Sequence, residues 1–128
     1  MEPTIFTKII NGDIPSHKIY EDDRTYAFLD INPLTPGHTL VVPKAQVEFV
    51  WDLSDDDYQA VMTTAKKVAK RIRDTLQPSY VGQKVVGTDV PHAHVHVIPF
   101  DDPAQFNRHT GSAAEQVDLS QIAEKLRF

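Results

Sequence analysis

The stretch Pro91-His92-Ala93-His94-Val95-His96-Val97-Ile98 places three histidines at every second position. Successive side chains of a β-strand point to opposite faces of a sheet, so this period of two predicts a strand with the three histidines on one face. Ala93, Val95 and Val97 share the other face, which can enter a hydrophobic core. We therefore predict a strand over residues 92–100 whose histidine face borders a cleft or solvent.

Four further predicted strands lie upstream of the histidine strand. Each is a short apolar run bounded by turn residues, and the polar turn Asp22-Asp23-Arg24 separates the first two. The four runs are Lys18–Glu21, Thr25–Asp30, His38–Val42 and Tyr80–Val86. Because consecutive strands are joined by short turns, we expect an antiparallel sheet and the α+β fold class.

A long amphipathic helix is predicted between the runs that end at Val42 and begin at Tyr80. Ser54 is placed to cap its N-terminus, with Asp57 as a capping-box partner, and Pro78 ends it. Apolar residues recur at three- and four-residue steps and form one face, which we expect to cover one side of the sheet. These residues are Tyr58, Val61, Met62, Ala65, Val68, Ala69, Ile72 and Leu76.

Shorter segments lie near the two ends of the sequence. Apolar residues within 5–10 fit a helix that is capped by Thr4 and stopped by Gly12, and a strand fits the same run almost as well. The polar segment 101–111 is predicted to be a loop. Residues 118–128 fit a last short helix, because their apolar side chains fall on one side.

The composition is typical of one globular domain. The chain has 128 residues, a formal net charge of −5 and no cysteine. We expect a single domain over residues 1–128, with 101–128 as a C-terminal extension. The lack of cysteine excludes a disulfide scaffold, a thiolate zinc site and a cysteine nucleophile. Mild acidity argues against nucleic-acid and membrane partners, and without a basic and apolar leader segment we expect a cytoplasmic protein.

Three histidines on one strand face suit two kinds of chemistry, beyond a plain polar surface. Two of them could bind a zinc ion at about 2.0–2.1 Å per nitrogen, with a further ligand such as His38. Alternatively, a row of imidazoles can supply a nucleophile, donors to phosphate oxygens and a proton donor for a leaving group. Imidazole suits that second role because its pKa lies near neutrality.

The histidine stretch and the segments before it resemble the histidine triad (HIT) family, in its nucleotide-binding branch. The family signature, His-x-His-x-His followed by apolar residues, matches residues 92–98. Further segments match in the same order along the chain, so the resemblance covers residues 4–100. These segments are Ile5–Ile10, Ile14-Pro15, Tyr20–Asp23, Ala27–Ile31, Pro36–Leu40 and Val42–Lys44.

The resemblance implies a five-stranded antiparallel sheet with one main helix, and a homodimer whose sheet is continuous. It implies a nucleotidyl hydrolase or transferase acting on the α-phosphate of purine nucleotides, such as phosphoramidate or adenylate conjugates. The alternatives are a diadenosine polyphosphate hydrolase or phosphorylase, and a nucleotide-binding regulatory module with negligible turnover. We expect no cofactor and no metal, because Thr4 and Thr7 stand where some bacterial relatives carry zinc-binding cysteines.

The resemblance also assigns roles to individual residues. His94 would be the nucleophile, and His96 would hydrogen-bond phosphate or leaving-group oxygens. His92 and His38 would orient the triad, and Asp30 would accept from the ribose hydroxyls. The base pocket would consist of Ile5, Phe6, Ile9, Phe28, Leu29 and Ile31. The remaining nucleotide-binding residues would be Thr88, Asp89 and Val90.

The chain departs from the family pattern between Tyr80 and His92. The family usually has an asparagine on this strand and then Gly-Gln-Ser or Gly-Gln-Thr, whereas here the hairpin is shorter and Gly87-Thr88-Asp89 occupies the turn. A carboxylate thereby replaces a hydroxyl that could donate to the leaving group. We expect this change to affect the leaving group and the rate more than the His94 nucleophile.

Overall fold

The computed structural model describes residues 2–109, 111 and 118–128, and its centre is a five-stranded sheet. The strands lie in the order β1-β2-β3-β5-β4. Their bounds are β1 Lys18–Glu21, β2 Thr25–Leu29, β3 Thr39–Pro43, β4 Tyr80–Lys84 and β5 Val95–Phe100. Every neighbouring pair is antiparallel, which confirms the predicted α+β class.

The described part of the chain contains four α-helices and a short 3-10 turn at Val50–Asp52. The helices are α1 Ile5–Ile10, α2 Asp55–Leu76, α3 Pro103–Phe106 and α4 Leu119–Leu126. Ser54 caps α2 as predicted, since its Oγ accepts from the Asp57 amide at 3.2 Å. Within the described ranges, no helix is both long enough and apolar enough to cross a membrane.

Helix α2 covers one face of the sheet, as its apolar period predicts. Val61, Ala65, Val68 and Ile72 are at most 1% exposed and form its buried side. The sheet residues in this core are Ile19, Ala27, Leu29, Val41, Val95 and Val97. Tyr58 lies at the first turn of α2 and is 37% exposed, so it contributes little to the predicted face.

The opposite face of the sheet packs against α1. The Oγ1 atom of Thr4 accepts from the Thr7 amide at 3.1 Å, which caps a helix and decides between the two readings of this run. Phe6 and Ile9 are the buried residues of α1. Their partners on the sheet are Tyr26, Phe28, Leu40 and Val42. Since both faces of the sheet are covered, the histidine side chains are buried instead of facing open solvent.

The C-terminal residues pack on the α2 side of the sheet. Ala123 and Leu126 of α4 are fully buried, and α4 contacts α2 and β1. The guanidinium Nε of Arg71 donates to the Leu126 carbonyl at 3.0 Å. The amide of Phe128 donates to the Ile19 carbonyl at 3.0 Å, which ties the end of the chain to β1. The predicted last helix is confirmed.

The strand ends differ from those predicted. Strand β5 begins at Val95, because the amides of His92 and Ala93 donate to the carbonyls of Val90 and Val47, at 2.8 and 2.7 Å, outside the β5 ladder. The first two histidines of the triad therefore lie in the segment that directly precedes β5. The observed strands span 25–29, 39–43 and 80–84, where the sequence predicts 25–30, 38–42 and 80–86.

The predicted loop over 101–111 contains helix α3, so that prediction is wrong in part. Asp102 accepts from the Ala104 amide at 2.9 Å, and its own amide donates to the Gln105 side chain at 3.2 Å, which completes a capping box. Pro103 suits the first helical position because its φ is already near the helical value. Residues 110 and 112–117 of the predicted extension lie outside the described residues.

Candidate active site

His94 holds an unpaired nitrogen at the centre of the histidine cluster. Its Nδ1 lies 2.7 Å from the carbonyl oxygen of His92, which can only accept, so Nδ1 carries the proton and donates. The Nε2 atom of the neutral ring then has a free lone pair. It is buried and has no hydrogen-bond partner among residues 2–109, 111 and 118–128. The Oδ1 atom of Asp89 lies 3.2 Å from it, within ion-pair range but without hydrogen-bond geometry.

His38 and His96 form a directed hydrogen-bond chain. The Leu34 amide donates to Nδ1 of His38 at 3.0 Å, so the proton of the neutral His38 ring is on Nε2. That Nε2 lies 2.9 Å from Nδ1 of His96 and donates to it. Consequently the second nitrogen of His96, Nε2, carries a proton and is a donor. The chain leaves His96 ready to hydrogen-bond an anion.

Burial keeps this pair of histidines neutral. Loss of solvation lowers the pKa of His38 to about 3, and the nearby His96 and Lys84 lower this pKa further. Loss of solvation also lowers the pKa of His96 to about 4, with an additional lowering by His94. Both rings are therefore neutral at physiological pH, which the directed chain requires.

His92 connects α1 to the end of β3. Its Nε2 lies 2.8 Å from the carbonyl of Pro43 and donates to it, so Nδ1 is an acceptor. The hydroxyl of Thr4 lies 2.7 Å from Nδ1 and is the donor. Burial lowers the pKa of His92, which favours this neutral form. With both nitrogens engaged, His92 is placed to orient His94 through its backbone carbonyl.

Asp30 directly follows β2 and points toward His38. Its Oδ1 accepts from the Asn32 amide at 2.8 Å, and its Oδ2 lies 3.6 Å from Nε2 of His38. Burial raises the pKa of Asp30; the Asn32 hydrogen bond opposes the shift and the charge of Asp89 adds to it. The effect of Asp89 on this pKa shows that the two carboxylates share one electrostatic environment.

A cleft of about 530 Å³ opens above these groups. The residues predicted from the sequence that line it are Asp30, His38, Thr88, Asp89 and His96. Seven further lining residues were missed by the sequence analysis: Asn32, Leu34, Lys84, Val86, Arg108, His109 and Gly111. Lys84 pairs with His96 in the register of β4 and β5, a contact across strands that no signal in the sequence indicated. Arg108 and His109 reach the cleft because the chain turns back after β5.

The apolar residues assigned to a base pocket do not all come together. Phe6, Ile9 and Phe28 share the cluster under α1, and the rings of Phe6 and His94 meet edge to face with centroids 5.2 Å apart. Val90 packs against the same cluster. Ile5 and Ile31 are 48% and 63% exposed, and Leu29 is buried in the core under α2, on the other side of the sheet.

Two sets of side chains in this region could hold a metal ion. One set is Asp30, His38 and His96, and the other is Asp89, His94 and His96. Within each set the candidate ligand atoms lie within 4.8 Å of one another. In the first set, the nitrogens that face each other are already joined by the hydrogen bond between His38 and His96. The second set includes the unpaired Nε2 of His94 and is the better of the two.

Comparisons with known proteins identify the family of this chain. Residues 11–102 match the model of the HIT domain family. A protein named hit from Bacillus subtilis is 44% identical over 77% of this chain and 71% of its own length. An adenosine 5'-monophosphoramidase from Saccharomyces cerevisiae is 35% identical over 94% of this chain and 76% of its own length.

Solved structures show the same fold. A Hit-like protein from Bartonella henselae, described as involved in cell-cycle regulation, has a TM-score of 0.82 and 32% identity and covers 97% of this chain and 94% of its own. A HIT family member from Bacillus subtilis has a TM-score of 0.77 and 36% identity, with 99% of both chains covered. The matched family model spans most of the sequence and contains the three histidines, and the chain therefore belongs to the histidine triad family.

Proposed function

We propose that this protein is a nucleotidyl hydrolase or transferase that acts on the α-phosphate of purine nucleotides, with His94 as the nucleophile. Phosphoramidate and adenylate conjugates are the proposed substrates. The observation that carries the proposal is the buried, unpartnered Nε2 of His94, whose lone pair is fixed by the Nδ1 bond to the His92 carbonyl. Family membership supports an activity on nucleotides broadly, and the yeast relative named as a monophosphoramidase supports a phosphoramidate substrate.

The proposed reaction has two steps. In the first, Nε2 of His94 attacks phosphorus, a nitrogen–phosphorus bond forms, and the bond to the leaving group breaks. The leaving group takes the bonding pair and a proton from solvent, while the His92 carbonyl stabilises the positive ring through its bond to Nδ1. In the second step water attacks the same phosphorus and loses a proton to solvent. The nitrogen–phosphorus bond breaks, which releases a nucleoside monophosphate and neutral His94.

His96 and Lys84 are proposed to hold the phosphate during both steps. The Nε2 of His96 is a donor because its Nδ1 accepts from His38, so it can bond a non-bridging oxygen. The ammonium of Lys84 lines the same cleft and donates to the carbonyl of Phe106 at 2.7 Å. A cation at this position offsets the negative charge of the phosphate, and it stands on the strand where the family usually has an asparagine.

The nucleoside is proposed to lie against α1 and the end of β2. Asp30 is held by the Asn32 amide and offers its second oxygen to ribose hydroxyls. Phe6, Ile9 and Phe28 form the buried apolar cluster beside the triad, which supports the side of the site where the purine would lie. Ile31 is exposed next to Asp30 and offers the purine a direct apolar contact.

The test is turnover of adenosine 5'-phosphoramidate by the wild type, His94→Ala and His17→Ala. His17 is a matched control, since it lies outside the cleft residues and is changed in the same way. We expect His94→Ala to reduce kcat by at least about a thousandfold, as loss of a covalent nucleophile does, and His17→Ala to keep the wild-type rate. Retention of the wild-type rate by His94→Ala would refute the proposal.

One observation favours a second candidate, a nucleotide-binding module with negligible turnover. The carboxylate of Asp89 lies 3.2 Å from the Nε2 of His94 and covers it, which opposes the approach of a phosphate to that atom. This candidate predicts that nucleoside monophosphates bind tightly, while a panel of phosphoramidates and adenylates is not cleaved. Calorimetry and product analysis on the same protein sample separate the two candidates.

We also propose a homodimer in which the sheet continues across the edge of β4. Tyr80 on β4 is 58% exposed, and Val85 and Val86 directly after it are 38% and 55% exposed. The outer strand at the other end of the sheet, β1, instead has its Ile19 carbonyl paired with the Phe128 amide. Light scattering coupled to size exclusion gives the mass in solution, and a monomer at high concentration would contradict the proposal. The cytoplasmic location stays a prediction.

A further inference from the structure

We propose that Asp89 makes the enzyme selective for substrates whose leaving group carries a positive charge. This inference rests on the function proposed above and narrows its substrate class. The favoured substrates are nucleoside phosphoramidates of amines that bear a second, cationic group. Conjugates whose leaving group is a carboxylate or a polyphosphate are disfavoured.

The position of Asp89 places its charge at the reacting phosphorus. Oδ1 of Asp89 lies 3.2 Å from Nε2 of His94, the atom proposed to attack. The side chain of His94 is fully buried, whereas that of Asp89 is 62% exposed, so the carboxylate stands between the nucleophile and the cleft. Gly87, with a φ of +82°, turns the chain just before Asp89 and brings it over the triad. In an in-line displacement the leaving group departs from the side of phosphorus opposite Nε2, so Asp89 acts on a charged leaving group through its field across the cleft.

No lysine or arginine of the described ranges forms an ion pair with Asp89. The close contact it makes there is with Nε2 of the neutral His94 ring, which does not cancel its charge. The cation nearest to the triad in the register of the sheet, Lys84, lies opposite His96 and donates to the Phe106 carbonyl. The field of Asp89 instead extends across the cleft, where it raises the pKa of Asp30.

Lys84 beside His96 and Asp89 beside His94 thus give the cleft a positive and a negative end, and Arg108 also lines it. The positive end, beside His96, suits the non-bridging oxygens of the phosphate. The negative end, beside His94, repels a second anion and attracts a cation. A serine or threonine hydroxyl, usual in the family at this turn, is uncharged and lacks this discrimination. A phosphoramidate whose leaving group carries an ammonium places its phosphate at the positive end and its ammonium at the negative end.

The experiment compares three adenosine 5'-phosphoramidates whose amines have similar length and end in different charges. The amines are putrescine, which ends in an ammonium, pentylamine, which ends in a methyl group, and γ-aminobutyrate, which ends in a carboxylate. Wild-type kcat/KM is expected to be about tenfold higher for the first than for the last, a modest ratio because Asp89 is partly screened by solvent. The ratio is expected to shrink as salt is added.

Two variants are compared with the wild type, and the second of them is the control. Asp89→Asn removes the charge at nearly constant shape, and we expect the ratio to fall to within about twofold of one. Asp23→Asn removes an exposed carboxylate from the turn between β1 and β2, and the ratio should stay at its wild-type value. Equal kcat/KM for the three compounds in the wild type, or an unchanged ratio in Asp89→Asn, would overturn the inference.

Failure of the inference and failure of the proposed function have different signatures. If the wild type cleaves none of the three compounds, the hydrolase proposal fails. Binding of the uncleaved compounds to the wild type and to Asp89→Asn, measured by calorimetry, then decides the inference alone. Tighter wild-type binding of the ammonium compound, lost in Asp89→Asn, supports charge selection, and equal affinities overturn it.

Discussion

Nε2 of His38 lies 2.9 Å from Nδ1 of His96, and the direction of the proton between them is set by the backbone. The Leu34 amide donates to the other nitrogen of His38 and so leaves Nε2 as the only position for the ring proton. The last nitrogen of the chain, Nε2 of His96, therefore donates into the cleft. The backbone amide of Leu34 thus decides, through His38, whether His96 donates or accepts in the cleft.

Replacement of His38 by Phe tests this directed chain. The variant keeps an aromatic ring of similar size but loses both hydrogen bonds, so the proton of His96 is free to move to Nδ1. We expect kcat on adenosine 5'-phosphoramidate to fall by about ten- to a hundredfold, in the range seen when a positioned proton donor is lost. The temperature of thermal unfolding should fall as well, because the buried Leu34 amide is left without its acceptor. A kcat within twofold of wild type in a folded variant would contradict the directed chain.

Stability should decrease as the pH falls below about 6.5. The pKa values of His38 and His96 are lowered by burial to about 3 and about 4, whereas in the unfolded chain both groups titrate near 6.5. Between these values the unfolded chain binds more protons than the native protein, so acid favours unfolding. The slope per group is at most about 1.4 kcal/mol for each pH unit.

Urea unfolding at pH 7.5, 6 and 5 measures this slope. The raised pKa of Asp30 acts in the opposite direction, but only where that carboxyl itself takes up protons, above its ordinary value near 3.8. His38→Phe removes one of the histidines whose pKa is lowered by burial and should show a shallower slope than the wild type. A free energy of unfolding that is constant from pH 7.5 to 5 would show that these histidines are not held neutral.

Thr4→Val should destabilise the contact between α1 and the triad. The Thr4 hydroxyl donates to Nδ1 of His92 and accepts from the Thr7 amide, so valine removes a cap and a half-buried hydrogen bond while keeping the shape. We expect a loss of about 1–2 kcal/mol in the free energy of unfolding. Thr4→Ser keeps the hydroxyl and is expected to stay within about 0.5 kcal/mol of wild type. An equal loss of unfolding free energy in the two variants would show that the effect comes from packing and not from the hydroxyl.

Removal of metal ions should leave the phosphoramidase rate unchanged. The proposed nucleophile is a nitrogen lone pair, and its route needs no metal. Added zinc is expected to inhibit, since Asp89, His94 and His96 have ligand atoms within 4.8 Å of one another and a bound ion would occupy Nε2 of His94. Asp89→Asn should weaken this inhibition. A rate that falls on chelation and recovers with zinc would contradict the metal-free route.

Much of the fold follows from periods that are local in the sequence. The alternation in residues 91–98 correctly predicts one apolar and one histidine face, and the helical period after Ser54 predicts which side of α2 is buried. Such patterns can be read locally because the geometry of one strand or one helix sets them. The strand ends were less accurate, because they depend on ladder partners elsewhere in the chain, such as the Val47 carbonyl that takes the Ala93 amide.

The charges and hydrogen-bond donors that face the cleft are decided only by the tertiary structure. Nothing in the sequence near Lys84 places it beside His96, and the contact between Asp89 and His94 depends on how the turn after Gly87 folds back. The sequence by itself therefore determined the residue types, the histidine face and the family. The folded chain decided which nitrogen carries each proton and which charges face the cleft, because hydrogen bonds and Coulomb interactions depend on distances between residues that are remote in sequence.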